Sequence, residues 1–132
     1  MKYKVMIVED QTMPRELFEL RIQTSEHFEL ALSIDNAALA DVYCLRFPVD
    51  LILMDVVTRD GESGLDAAER IKHAFPQIKI IIVTSMPECS YLSRAREIGV
   101  EVIHLEVIIS LDVPMRNADQ TMFPKNTLHS KQ

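Results

Sequence analysis

The chain has 132 residues with 20 acidic and 14 basic side chains, a net charge of −6. That length holds one domain with a self-sufficient core. The acidic balance argues against sequence-independent binding to nucleic acid, which needs a basic surface to displace counterions, so this domain is expected to make no direct nucleic-acid contact. No apolar run approaches the roughly 20 residues that cross a bilayer, and no membrane association is expected. Glu9-Asp10 interrupts the amino-terminal apolar stretch too early for a signal peptide. Cys44 and Cys89 lack metal-ligand spacing and fall in helical stretches, the pattern of reduced thiols in a cytoplasmic protein.

In chain order, Tyr3–Val8 is a β-rich run closed by Glu9-Asp10. Thr12 and Pro14 signal a helix start, a capping hydroxyl with a proline in the first turn, and Leu17, Leu20 and Ile22 carry that helix to about Ser25. Phe28–Ile34 alternates apolar and polar residues, as a half-buried or edge strand does. Asp35-Asn36 caps a second helix that ends before Pro48. Leu51–Asp55 is a continuous apolar run ending abruptly in a carboxylate, the habit of a parallel strand buried on both faces. After the loop Val56–Ser63, Leu65, Ala68 and Ile71 mark a third helix that ends near Phe75-Pro76. Ile78–Val83 is the most apolar strand and is expected to be central, with Thr84-Ser85 at its end. Glu88–Ile98 reads as a fourth helix stopped by Gly99, and Val100–Leu105 as a fifth strand.

Strands alternating with helices at this spacing specify an α/β domain. Its form is a doubly wound, five-stranded parallel sheet with helices on both faces and right-handed crossovers. Ligands in such sheets bind outside the carboxyl ends of the strands. A lone Asp55 there would ordinarily just open a loop, but Glu9-Asp10 and Thr84-Ser85 end neighbouring runs. Carboxylates converging on one point repel unless a cation neutralises them, and carboxylate, carbonyl and water oxygens are the ligands of Mg²⁺. A carboxylate beside Mg²⁺ can act as a nucleophile toward a phosphoryl group, and the Thr84 hydroxyl could donate to a phosphoryl oxygen.

Several motifs in order resemble the receiver domains of bacterial two-component response regulators. Val5–Asp10 resembles their first strand and acidic pair, and Leu51–Asp55 the strand with the phosphoacceptor. Gly64-Leu65-Asp66 resembles the opening of their third helix, and Ile81–Ser85 the strand with the switch threonine. The resemblance implies a flavodoxin-like fold in which Asp55 accepts phosphate from a sensor histidine kinase. It also implies that Glu9, Asp10, Asp55 and the Val57 backbone carbonyl hold Mg²⁺, and that Thr84 follows the phosphoryl group. Cys89-Ser90-Tyr91-Leu92 resembles regulators with a helix-turn-helix output, which implies a DNA-binding domain beyond residue 132. A homodimer through the fourth-helix face is plausible by the same resemblance.

The chain also departs from that family. The loop after Asp55 is one residue longer than usual, with Thr58-Arg59 where Met-Pro is common. Counting from Gly99, the position of the family's phosphate-pairing Lys holds Glu106, and that of its switch aromatic holds Ile103. His104 is expected to alternate to another face and to be structural. Beyond Leu105 the fifth helix is uncertain: Asp112-Val113-Pro114 could begin one, but residues 115–122 have weak helix propensity. The expected boundaries are a receiver domain at 1–122 and a polar tail or linker at 123–132. Codons for Val102–Glu106 exist whose shifted frame reads Asp-Ser-Phe-Gly, closer to the family strand, so an altered reading frame after Gly99 stays open. Two other readings stay open: a pseudo-receiver that binds partners without productive phosphorylation, and a small Mg²⁺-dependent phosphatase with Asp55 as nucleophile.

Overall fold

The structure, a computed structural model, describes residues 1–56, 63–84 and 92–104. Five strands, β1 (Tyr3–Val8), β2 (Phe28–Ile34), β3 (Leu51–Asp55), β4 (Lys79–Thr84) and β5 (Glu101–His104), form one sheet in the order β2-β1-β3-β4-β5. Every pairing is parallel. Between the strands lie α1 (Thr12–Gln23), a 3₁₀ turn (Ala37–Leu39) running into α2 (Ala40–Arg46), α3 (Gly64–Ala74) and α4, described from Leu92 to Ile98.

The two-residue period of a strand sends alternate side chains to opposite faces, and here both faces are covered. Val5, Ile7, Leu51, Leu53, Ile81 and Val83 pack with Phe18 and Ile22 of α1. Met6, Val8, Ile52, Met54, Ile80 and Ile82 pack with Ala40, Cys44, Leu65, Ile71 and Ala95 of the other helices. Each such side chain contributes about 1.5–3 kcal/mol on burial, which is why the continuous apolar runs became interior strands. Cys44 is a free, buried thiol.

β2 is an edge strand, and its alternation conceals a bulge. Leu30 pairs with Val5 and Leu32 with Met6, so Ala31 is an extra residue. The insertion reverses the facing of the rest of the strand: Phe28 and Leu30 pack on the α1 side, Leu32 and Ile34 on the other. One edge strand thereby supplies both cores.

The sheet corrects two sequence expectations. β3 occupies the middle, with β4 beside it as an interior strand, because the centre is set by crossover order as well as by apolarity. The residue capping α1 is Gln11, in extended conformation and without a side-chain cap bond, and Thr12 is already helical. The Gln11 N–H is turned back onto the Glu9 carboxylate at 3.1 Å, which starts the helix one residue early. The second helix begins as expected at Asn36, whose side chain accepts from the Ala38 N–H. Val57, Thr58-Arg59, Ser85, Cys89 and the start of the fourth helix lie outside the described residues, as do Leu105, Glu106 and the boundary at 122.

At the amino ends of the strands, Asp50 joins three of them. Its carboxylate accepts from the Lys4 N–H at 2.8 Å, its own N–H donates to the Lys4 carbonyl, and its carbonyl accepts from the Lys79 N–H. At the opposite end, Ser63 caps α3 by accepting from the Leu65 N–H. Gly64 then donates to the Val56 carbonyl at 2.6 Å. A Cβ on Gly64 would collide with the Asp55 carbonyl, so only glycine lets α3 start this close to the end of β3. Gly64→Ala should lower stability by at least the roughly 1–3 kcal/mol typical of overpacking, read as a lower urea midpoint; an unchanged midpoint would contradict this packing.

Candidate functional site

β1 and β3 are neighbours with Val8 opposite Met54, so Glu9-Asp10 and Asp55, next along each chain segment, emerge side by side at the carboxyl end of the sheet. Carboxylate oxygens of Glu9, Asp10 and Asp55 lie within 4.8 Å of one another. Glu9 is only 5% exposed, whereas Asp10 and Asp55 are half-buried. Asp35, which ends edge strand β2, is not part of this cluster. Three carboxylates this close suit a hard, oxygen-seeking divalent cation.

Glu9 is held from several directions. Its N–H donates to the Ile34 carbonyl at 2.9 Å, its carbonyl accepts from Arg15 Nη1 at 3.0 Å, and its carboxylate accepts from the Gln11 N–H. Burial pushes its pKa up to about 7; the Gln11 hydrogen bond opposes this, and the neighbouring charges of Asp55 and Asp10 reinforce it. Sequence reading did not anticipate Arg15, because its partner is a backbone carbonyl reached across the turn into α1 and leaves no periodic signal.

Thr84 ends β4, one residue beyond Val83, which is the register partner of Asp55. It is 2% exposed. Its own register partner on β5 is His104. Register partners on adjacent strands project from the same face, so His104 shares the face of Thr84 and alternates away from Ile103, which packs on the α1 side. Arg94 on α4 is half-exposed and bonds to Asp66 at 2.5 Å and Glu69 at 3.2 Å on α3. His27 and His73 are exposed.

The raised Glu9 pKa has a defined consequence for stability. A carboxyl whose folded pKa lies above its ordinary value of 4.5 contributes stability that is fully present below 4.5 and is lost as pH rises to about 7. Without divalent cation, stability should therefore fall across that window by an amount on the order of a few kcal/mol. Glu9→Gln keeps an acceptor for Gln11 and should flatten the fall, making the variant more stable than wild type at pH 8. Parallel pH profiles of the two proteins in chemical denaturation would count against this electrostatic picture.

Residues 5–103 match the family model of the response regulator receiver domain. The Fimbriae Z protein of Escherichia coli K12 is 29% identical over 129 residues, which cover 95% of this chain and 61% of that protein. The oxygen regulatory protein NreC of Staphylococcus aureus is 29% identical over 89 residues, covering 67% of this chain and 41% of that protein. The chain thus spans less than two thirds of the length of these relatives. A two-component response regulator of the LuxR family from Aurantimonas sp. SI85-9A1 has the same fold, with a TM-score of 0.78 over 100% of this chain and 89% of that one at 19% identity. With its parallel sheet, its acidic strand ends and this match over most of its length, the chain belongs to the receiver-domain family of two-component response regulators.

Proposed function

We propose that Asp55 accepts a phosphoryl group from a sensor histidine kinase and that Mg²⁺ bound at the acidic cluster supports the transfer. The observation that carries this reading is the convergence of Glu9, Asp10 and Asp55 within 4.8 Å at the ends of two adjacent interior strands. In the transfer, a carboxylate oxygen of Asp55 bonds to phosphorus as the phosphorus–nitrogen bond of the phosphohistidine breaks. The imidazole leaves with the electron pair and takes a proton. Glu9, Asp10, Asp55 and the Val57 carbonyl would hold Mg²⁺, whose charge offsets the repulsion between the carboxylates and the incoming phosphoryl oxygens. Asp55 is suited to the acceptor role because it is half-buried at a strand end, where its carboxylate reaches solvent. Glu9 is more buried and turned back onto Gln11.

A phosphoryl group adds nearly two negative charges and three strong acceptor oxygens at one spot. Thr84 on the neighbouring strand supplies a hydroxyl to follow it, and β4 leads toward α4. The product of the reaction is thus a change in the shape or population of the α4–β5 face, and hence in what binds there. In this reading the domain carries out its own phosphoryl transfer and dephosphorylation and turns over no metabolite. The greater length of the Fimbriae Z and NreC relatives supports an output domain beyond residue 132, in this reading a DNA-binding one, with the receiver at 1–122 and a polar segment at 123–132 leading toward it. Homodimerisation through the α4 face is one form the changed binding could take.

Intact-protein mass after incubation with Mg²⁺ and acetyl phosphate should show a single added phosphoryl group in the wild type and none in Asp55→Asn. A folded wild type that gains no adduct would point to a pseudo-receiver, in keeping with Glu106 at the counted Lys position. Continuous release of phosphate over many turnovers would point to the phosphatase reading. In thermal denaturation at pH 8, millimolar Mg²⁺ should raise the wild-type midpoint and have little effect on Asp10→Asn. Equal shifts in the two proteins would place the cation elsewhere.

A further inference from the structure

At the carboxyl edge of the sheet, the register of β4 with β5 sets Thr84 opposite His104. Partners on adjacent strands lie about 4.8 Å apart and project from one face. The preceding pair, Ile82 and Val102, both pack in the core under α2, α3 and α4, which identifies that face. Thr84 is buried and His104 half-buried, so the register sets a histidine and a nearly water-free threonine side by side on one face.

Three basic side chains near this end or face have partners of their own. Arg15 donates to the Glu9 carbonyl, Arg94 bonds to Asp66 and Glu69, and Lys79 pairs with Glu101 at 2.7 Å at the starts of their strands. A threonine hydroxyl has one hydrogen to donate and lone pairs to accept with, and an imidazole carries an N–H in either neutral tautomer and two when protonated. If the Thr84 hydrogen is aimed at a phosphoryl oxygen, an oxygen lone pair is left for a neighbouring donor.

We propose that His104 is a positioning residue for the phosphoryl site, its ring N–H donating to Thr84 Oγ1 so that the hydroxyl hydrogen points toward the phosphoryl group on Asp55. This rests on the phosphoacceptor reading above. A relay of this kind polarises the hydroxyl through a chain of hydrogen bonds. It supplies through Thr84 part of what a lysine at position 106, here Glu106, would supply directly. His104 touches neither metal nor phosphorus and acts only through Thr84.

The test has two arms on the full chain. In the first, the ring nitrogen signals of His104 are recorded by NMR in the unphosphorylated wild type and in Thr84→Val; a clear shift is expected, and coincident signals overturn the proposal whether or not phosphorylation occurs. In the second, the rate of adduct formation with acetyl phosphate and Mg²⁺ is followed by mass. His104→Leu should slow it by about tenfold, the worth of one hydrogen bond at a reacting centre. His104→Gln, which keeps an N–H donor, should restore most of the rate. Equal rates in wild type and His104→Leu, or equal slowing in both variants, overturn the positioning role and leave Asp55 as acceptor. A wild type that forms no adduct overturns the acceptor reading and this role together.

Discussion

The mutual repulsion of Glu9, Asp10 and Asp55 is the constraint around which the rest of the molecule is built. Like charges within 4.8 Å in a partly buried setting are costly, and a small domain has only some 5–15 kcal/mol of net stability. What holds them together is the sheet beneath. Val5–Val8 and Leu51–Met54 are almost wholly buried, and eight such side chains, each contributing about 1.5–3 kcal/mol, outweigh the repulsion several times over. The acids sit immediately after those residues in both strands, so they cannot separate without breaking the register that buries the core. Burial raises the pKa of Glu9, and the neighbouring charges of Asp55 and Asp10 push it the same way. A proton or a divalent cation relieves the repulsion, and these two compete for the same oxygens.

The opposite end of the sheet explains how the register is kept. Asp50 bonds the start of β1 through both its carboxylate and its N–H, and the start of β4 through its carbonyl. With the strand starts aligned, strands of similar length finish at similar heights, and their carboxyl ends line up as a consequence. Gly64 completes the arrangement by letting α3 begin directly against the Asp55 carbonyl. The Asp55 backbone is thereby fixed from below by the sheet and from the side by a helix start.

Much of this was legible in the sequence because burial on both faces leaves a local signature. The runs at 3–8 and 51–55 could hardly be anything but interior strands, and an acid at the end of each made the cluster an inference from strand order. What escaped was non-local. The bulge at Ala31 is invisible to a period of two, since Phe28, Leu30, Leu32 and Ile34 look like one face until the register with β1 is known. The helix start at Gln11 depends on the Glu9 carboxylate folding back onto its N–H, a contact that outcompetes the capping preference of Thr12. That His104 lies beside Thr84 was equally out of reach, because alternation along one short strand says nothing about its neighbour. Only the pairing of Thr84 with His104 does.

Stiffness is distributed unevenly around Thr84, in a way that suits a receiver. On one side, β3 and β4 pair over five residues and are buried on both faces. On the other, the described part of α4 buries one residue, Ala95, and is tied to α3 by the exposed Arg94 bridges to Asp66 and Glu69. Exposed ion pairs are weak and screened by salt. A change in hydrogen bonding at Thr84 therefore meets high resistance toward the sheet and low resistance toward α4. On the proposed function, a few kcal/mol gained at the acidic cluster would be enough to shift the population of the helix while leaving the strands in place. The same asymmetry places a rigidly held acidic cluster next to a more loosely tied helix.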